Sequence, residues 1–169
     1  MGRTLPRQPA GTTGRLFTVE SAEATLVLVR RIVTDVVAAY GELMRLRSEL
    51  QDLSVETGRE RELQELRGQI DQRLETLKRL HVELKEIGCE LKDFSAGLVD
   101  FPALYRGRRV WLCWKLGEDR IAHWHEWESG MAGRQPIDDA FAAELRTAAP
   151  CAAQDPQHSV GCEDPEPAG

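Results

Sequence analysis

Long hydrophobic runs are absent from this chain of 169 residues. No apolar stretch approaches the roughly 20 residues that a membrane-spanning helix needs. The N-terminal segment MGRTLPRQPAGTTGR contains no apolar core of a secretory signal, and Pro6 stands where N-myristoylation prefers a hydroxyl residue. We therefore expect a cytoplasmic protein that does not contact a membrane.

An excess of positive charge is also missing. The formal net charge is −6, but the tail after Pro150 carries Asp155, Glu163, Asp164 and Glu166 and no lysine or arginine, so the body before it is nearly neutral. A nearly neutral body offers no electrostatic field for nonspecific nucleic-acid binding. We expect no nucleic-acid partner.

Closely spaced cysteine pairs are absent as well. Cys89, Cys113, Cys151 and Cys162 lie far apart and form no CxxC motif, which favours free thiols over a disulfide framework. The chain also lacks a GxGxxG loop, a P-loop, an HExxH motif and a nucleophile elbow. No standard catalytic template applies, so whether the protein is an enzyme stays open.

What the chain does contain is a long helical pattern. Thr18 is a suitable N-cap, and apolar residues then recur every three or four positions from Leu26 to Leu53 and again from Leu63 to Ile87. Gly88 is a suitable C-cap. Two helices of matched length and a short connection predict a long antiparallel, coiled-coil-like hairpin over residues 16–88.

The hairpin needs a further surface to cover its apolar stripes, because two helices alone leave part of both exposed to water. We expect either a homo-oligomer through the hairpin or packing against the C-terminal part of the chain. The hairpin tip carries Asp52, Glu56, Glu60 and Glu62. The alternative interpretation is therefore an interaction or adaptor protein that contacts a protein partner at this tip and has no small-molecule site.

From residue 89 the period of the pattern changes. The segments CELKDF, GLVDFPAL, RRVWLCWKL and IAHWHEW are short and separated by glycine-containing turns, which predicts an antiparallel meander of three or four strands over residues 89–147. Pro102 marks an edge or a strand end, and a short helix over 138–146 closes the domain. The fold class is α+β, with residues 1–15 and the acidic, proline-rich residues 148–169 expected to be disordered.

Five motifs carry a family resemblance. FTVESA, ELKDFSAGLVDFPAL, VWLCWKLGE, WHE and GRQPI, in that order, closely resemble the bacterial family DUF2203, a domain of unknown function, over roughly residues 16–137. The resemblance supports the boundaries and the choice of motifs, and it implies no mechanism.

One short stretch, WLCWKLGEDRIAHWHEW, concentrates the residue types that binding sites use. It contains all four tryptophans and three metal-ligating side chains, namely Trp111, Trp114, Trp124, Trp127, Cys113, His123 and His125. The two histidines are two residues apart, so on a strand they point to the same face, as in many metal sites. We predict a ligand- or metal-binding module in which His123, His125 and Cys113 are the candidate metal ligands. The sequence does not identify a cofactor; a transition metal and haem are the candidates. The competing interpretation is that this stretch simply supplies the core of the sheet.

Whether Cys113 joins the histidines depends on the register of one hairpin. A three-residue loop over 118–120 pairs Cys113 with His125. A two- or four-residue loop pairs Leu112 with His125 and places Cys113 on the opposite face. The sequence leaves both arrangements open.

Other side chains complete the candidate ligand site: Asp100, Trp111, Cys113, Trp114, Lys115, Trp124, Glu126 and Arg134. Asp100 lies between two apolar residues and needs a partner, for which Lys115, Arg134 or a histidine is available. Arg134 suits anion binding or a salt bridge to Asp100 or Asp138. A small metalloenzyme with His125 as general base or metal ligand is the second alternative.

Overall fold

The computed structural model describes residues 15–55 and 57–147. Its elements in chain order are helices α1 (Val19–Leu53) and α2 (Glu60–Ile87), strands β1 (Glu90–Asp93), β2 (Leu98–Tyr105), β3 (Arg108–Lys115), β4 (His123–Glu126) and β5 (Gln135–Pro136), and helix α3 (Asp139–Thr147). A 3-10 turn, Met131–Gly133, precedes β5. The predicted α+β fold, a two-helix hairpin followed by an antiparallel sheet, is confirmed. The segments predicted to be disordered, apart from Arg15, lie outside the described residues.

Both predicted helix caps are present. Thr18 and Ser21 form a capping box, in which the Ser21 amide donates to Thr18 Oγ1 at 3.2 Å and the Thr18 amide donates to Ser21 Oγ at 2.9 Å. Gly88 ends α2 in the left-handed conformation at φ 102°, which a residue with a side chain rarely adopts. The caps therefore fix where the hairpin begins and where the chain turns into the sheet.

The hairpin packs onto one face of the sheet. On this helix-facing side the buried sheet residues are Leu91, Val99, Phe101, Ala103, Val110, Leu112 and Trp114. Phe17, just before α1, packs edge-on against Phe101 with ring centroids 5.2 Å apart. The chain thus covers its helical stripes with its own sheet, which is one of the two arrangements expected from the sequence; the homo-oligomer stays a prediction.

The sheet has five antiparallel strands in the order β1-β2-β3-β4-β5, one more than the most that the sequence predicted. The unpredicted β5 has two residues, too few to show a period of two, and pairs Pro136 with His123 and Gln135 with Trp124. Pro102 lies where β1 has already ended along β2, and its carbonyl accepts from the Phe17 amide at 2.8 Å. Its expected position at a local edge is confirmed.

The β1–β2 turn lies directly against α1. Gly97 has φ 64°, and a Cβ there would come within 2.7 Å of Val33 Cγ1 and 2.9 Å of Leu116 Cβ. Only glycine fits this conformation and this close approach.

None of the helices in residues 15–55 and 57–147 is long and apolar enough to cross a membrane.

Candidate functional site

Strand register decides which chemical groups meet. β3 pairs with β4 so that Cys113 lies opposite His123 and Trp111 opposite His125, and β2 pairs with β3 so that Asp100 lies opposite Cys113. Because paired residues share a face, all five side chains lie on the side of the sheet away from the helices. We call this side the site face.

The predicted loop lengths for the β3–β4 connection are all wrong. The connection runs over residues 116–122, longer than the two to four residues considered, and it shifts the pairing of Cys113 from His125 to His123. The shift is two residues, so Cys113 stays on the histidine face. The connection is long because its own residues are anchored: Ile121 is buried, and the Trp114 indole donates to the Glu118 carbonyl at 2.9 Å.

Residues 127–137, which we call the covering loop, contact the site face and its rim through Trp127 and Arg134. At one end Trp127 stacks on Trp111 with ring centroids 4.0 Å apart, and its carbonyl accepts from Trp111 Nε1 at 3.3 Å. At the other end Arg134 Nη2 donates to the two carboxylate oxygens of Glu118 at 2.9 and 3.0 Å and approaches the Cys113 carbonyl at 3.5 Å. The side chains beneath the loop are consequently shielded from water.

Asp100, Cys113 and His125 form a compact buried cluster, which we call the triad. One ligand atom from each lies within 4.8 Å of the others. The three residues are at most 2 % exposed. His125 Nε2 lies 3.1 Å from Asp100 Oδ2, whereas Asp100 Oδ1 has no hydrogen-bond partner among residues 15–55 and 57–147. The triad therefore combines three metal-ligating atom types with an unsatisfied carboxylate oxygen.

The hydrogen bonds of His125 fix where its lone pair lies. Nδ1 is 2.9 Å from the Glu126 carbonyl oxygen, which only accepts, so Nδ1 carries a proton and donates it. In the neutral imidazole Nε2 is then an acceptor, and it faces the carboxylate Oδ2, another acceptor. Two acceptors 3.1 Å apart require a cation between or beside them, either a proton or a metal ion.

The thiol of Cys113 is unreactive while it is protonated. Burial raises its pKa well above the ordinary value, and the nearby Asp100 carboxylate raises it further. Burial likewise raises the pKa of Cys89 to about 12, and its Sγ donates to the Leu84 carbonyl at 3.3 Å. Both cysteines are free, as predicted, and Cys151 and Cys162 lie outside the described part of the chain. Neither described thiol suits a nucleophile.

The comparison with known families matches almost all of this architecture. A family model described as an uncharacterized conserved protein (DUF2203) covers residues 15–137, from the residue before Leu16 to the end of the covering loop. The chain belongs to the DUF2203 family. No curated protein and no solved structure matches it. Membership confirms the resemblance of the motifs. Because the family is uncharacterized, membership indicates no reaction and no ligand.

Not every predicted metal ligand of this DUF2203 protein lies in the triad. His123 is opposite Cys113, but its side chain is 37 % exposed, and its Nδ1 stands 4.0 Å from Glu118 Oε1. That nitrogen has no hydrogen-bond partner within the described residues. Asp100, proposed from the sequence as a ligand-site residue, occupies the third position of the triad instead.

The predicted aromatic residues divide between the two faces. Trp111 lies on the site face, whereas Trp114 and Trp124 lie on the helix-facing side, where Trp124 stacks on Phe141 with centroids 4.6 Å apart. Trp114 and Trp124 therefore supply core, as the competing interpretation of the tryptophan-rich stretch expected. Trp111 instead lies beside the triad.

The predicted charged residues lie around the triad rather than in it. Arg134 pairs with Glu118 and not with Asp100 or Asp138. The side-chain carboxylate of Glu126 is exposed and lies 4.0 Å from Arg108 Nη2. The backbone carbonyl of Glu126 lies 2.9 Å from His125 Nδ1. Lys115 ends β3, where its amide donates to Glu118 Oε2 at 2.9 Å.

Glu118 and Trp127 lie next to the site face but were not among the predicted site residues. Glu118 follows a turn glycine, Gly117 at φ 100°, and it receives both Arg134 and the Lys115 amide. Trp127 is the fourth tryptophan of the stretch, and its stacking on Trp111 depends on the path of the covering loop. Sequence spacing gives no signal for either long-range contact.

Proposed function

We propose that this DUF2203 protein is a metal-binding module and that Asp100, Cys113 and His125 hold one divalent transition-metal ion, Zn²⁺ by the chemistry of the donors. The observation that carries the proposal is the buried contact between His125 Nε2 and Asp100 Oδ2, two atoms of metal-ligating type that lie 3.1 Å apart beside the Cys113 thiol. A neutral imidazole nitrogen, a thiolate and a carboxylate form a typical zinc donor set.

The surroundings of His125 fit metal ligation. A ligating histidine almost always donates its other ring N–H to a carbonyl or carboxylate, which fixes the tautomer and orients the lone pair. The 2.9 Å contact from Nδ1 to the Glu126 carbonyl supplies this support. Zinc bonds of about 2.0–2.3 Å place tetrahedral ligands about 3.3–3.8 Å apart, so the triad closes around an ion with side-chain shifts of about 1 Å.

A metal ion explains more of the site than a shared proton does. A proton between Nε2 and Oδ2 satisfies those two atoms but leaves Asp100 Oδ1 without a hydrogen bond among the described residues, with the Cys113 thiol protonated beside the carboxylate. An ion engages all three side chains, because the thiol loses its proton on binding. Three protein ligands leave a fourth position, for which water or His123, which is paired with Cys113 across β3 and β4, is a candidate.

Elemental mass spectrometry of protein purified without a histidine tag tests the proposal, together with Co²⁺ titration followed by thiolate-to-cobalt absorbance. We expect about one ion per chain, and a thiolate band that Zn²⁺ abolishes by competition. Asp100→Asn and Cys113→Ala should each lose the ion. The Asn side chain donates an N–H to the neutral His125 Nε2, so this variant removes the ligand charge while keeping the internal hydrogen bond.

His81→Gln is the matched control, since His81 lies on α2 against Phe94, with ring centroids 6.1 Å apart, and away from the triad. It should retain the ion. A metal-free wild type that gives no thiolate band with Co²⁺ would show that the Asp100–His125 pair holds a proton and serves only the fold.

We infer that the helical hairpin also serves oligomerisation. Large apolar side chains remain exposed along it in the monomer: Val27 at 74 %, Leu28 at 48 % and Val82 at 46 %. Contiguous exposed apolar patches mark protein–protein contact sites, and Val27 and Leu28 are adjacent in the chain. Sedimentation equilibrium of the wild type and of a Val27→Asp/Leu28→Asp variant tests this role: a monomeric wild type rejects it, and a variant that dissociates supports it.

A further inference from the structure

The triad needs a route by which an ion reaches it, because its three residues are at most 2 % exposed. On the side of Trp111 and Trp127 the rings are stacked and covered by cationic groups. Lys92 Nζ lies 4.3 Å from the Trp111 ring centroid, and the Arg109 guanidinium lies 5.7 Å from that of Trp127. Positive charge repels a divalent cation. Both packing and charge therefore disfavour entry from this side.

A second approach to the triad is polar and more open. Glu118, His123 and Arg134, which we call the polar edge, have side-chain exposures of 27 %, 37 % and 17 %. His123 lies opposite Cys113 in the β3–β4 register, and paired residues on one face place their Cβ atoms about 4.5–5.5 Å apart. The polar edge therefore adjoins the thiol of the triad and presents a carboxylate that attracts a cation.

Arg134 holds this edge closed with an incomplete set of hydrogen bonds. Its Nη2 donates to both carboxylate oxygens of Glu118, at 2.9 and 3.0 Å, whereas its buried Nε finds no acceptor in residues 15–55 and 57–147. A guanidinium that uses two parallel N–H groups binds a carboxylate more strongly than this single-nitrogen contact does. Because the pair is suboptimal and partly exposed, breaking it requires little free energy.

Glu118 stays in position when Arg134 leaves, because its Oε2 also accepts from the Lys115 amide at 2.9 Å. Its Oε1 lies 4.0 Å from His123 Nδ1, a buried nitrogen that has no hydrogen-bond partner within the described part of the chain. Two ligands of one tetrahedral zinc ion, at bond lengths of about 2.0–2.1 Å, lie about 3.4 Å apart. Oε1 and Nδ1 can therefore hold one ion after a small side-chain shift.

We propose that the polar edge is the gate through which a divalent cation enters and leaves the triad. Arg134 closes the gate by binding Glu118. When Arg134 leaves, His123 and Glu118 receive the ion and pass it to Cys113. This inference rests on the metal site proposed above, and it makes His123 a transient ligand rather than the resident fourth one.

The charges of the polar edge act on Cys113, as this role requires. Burial is the main reason that the pKa of the Cys113 thiol is raised, and Glu118 raises that pKa slightly further whereas Arg134 lowers it. With the gate closed, Arg134 supplies the positive charge near the thiol. An entering cation replaces that charge and favours the thiolate that binds metal.

Stopped-flow mixing of the full chain with Co²⁺ tests the gate, with the thiolate-to-cobalt absorbance as the signal. Uptake is followed after mixing, and loss is followed while excess Zn²⁺ displaces the cobalt. Arg134→Gln should accelerate uptake and loss equally, by about fivefold to tenfold, which corresponds to about 1–1.4 kcal/mol from the lost ion pair. His123→Ala should slow both rates equally, by about fivefold, which corresponds to about 1 kcal/mol.

The equilibrium Kd for Co²⁺ should be the same in the wild type and in both variants. A group that acts only during passage changes both rates by one factor, whereas a ligand of the bound ion changes the Kd. Arg134→Lys keeps the positive charge and should restore rates close to those of the wild type. Arg108→Gln is the matched control, since this exposed arginine lies 4.0 Å from a different carboxylate, that of Glu126, and should change neither rate.

The outcomes separate the gate from the metal site. A wild type without a thiolate band at equilibrium would overturn both. A normal band, with uptake and loss unchanged in Arg134→Gln and His123→Ala, would overturn the gate alone. A higher Kd and faster cobalt loss in His123→Ala would make His123 a ligand of the bound ion and would also overturn its transient role.

Discussion

Both faces of the sheet contain fully buried residues, but the two faces differ in chemistry. On the helix-facing side Phe101, Leu112 and Trp114 pack against the hairpin as ordinary core. On the site face, Asp100 and His125 are equally enclosed, under the covering loop. Burial alone favours apolar residues on both sides, since a buried carboxylate loses its hydration. This difference is why we assign stability to the helix-facing side and propose a metal site for the site face.

The largest expected effect comes from removing core on the helix-facing side. Phe101→Ala deletes a fully buried ring in contact with Phe17 and should lower the free energy of unfolding by about 3–5 kcal/mol. Cys113→Ala, at an equally buried position on the site face, should cost only about 1 kcal/mol in metal-free protein, because it removes one sulfur atom. Urea denaturation of both variants in EDTA measures the contrast. Similar losses in the two would remove the distinction between the faces.

The fold could largely be predicted from the sequence because its signals are local. The caps at Thr18 and Gly88 and the helical periodicity between them depend on residues within one or two turns. The two-residue β5 could not be predicted, since its pairing with His123 and Trp124 comes from the long-range path of the covering loop. The type of a secondary-structure element depends mainly on neighbouring residues, whereas the pairing of β5 depends on tertiary contacts.

The candidate site was predictable in composition and not in geometry. Clustering of Trp, His and Cys pointed to the stretch that contains two of the three triad residues, Cys113 and His125, and the spacing of the two histidines gave their shared face. The loop length was misjudged because Ile121 and the Trp114 indole anchor a longer connection. The partner of Asp100 was left open among three groups, and only the strand register brings His125 to it.

A second prediction sharpens the comparison by making the site face resemble the other. Asp100→Val/His125→Leu replaces the buried polar pair with apolar residues of broadly similar size. Buried ion pairs are often replaced by apolar groups at no cost or with a gain of about 1–4 kcal/mol. We expect the double variant, in EDTA, to unfold at the same or a higher urea concentration than the wild type, and to bind no metal.

The single change His125→Leu is the control, because it leaves the Asp100 carboxylate buried without its partner and should destabilise the protein. A double variant that is less stable than this single variant would mean that the polar pair is itself a major source of stability. The functional interpretation of the site face would then lose its basis.

The smallest expected effect on stability concerns Asp93, whose Oδ1 finds its hydrogen-bond donors within its own turn, in contrast to Oδ1 of Asp100. Asp93 Oδ1 accepts from the Ser95 amide and hydroxyl, both at 2.7 Å, and from the Ala96 amide at 2.9 Å, in the β1–β2 turn. These donors, chiefly the Ser95 hydroxyl, lower the pKa of Asp93 below its ordinary value of 3.8, and the charge of Lys115 adds to the effect. A lowered pKa means that the folded state favours the ionised form.

The stability that Asp93 provides is therefore present above pH 3.8 and is lost as the pH falls through the lower pKa of the folded state. Asp93→Asn keeps a side-chain acceptor but carries no charge, so its own contribution is independent of pH. We expect the difference in urea midpoint between wild type and Asp93→Asn to be small and positive at pH 7 and to shrink toward pH 3. A difference that is constant with pH, or that widens in acid, would show that the turn does not distinguish the two protonation states. Asp93 would then no longer serve as the half-buried counterpart with which the fully buried Asp100 is compared.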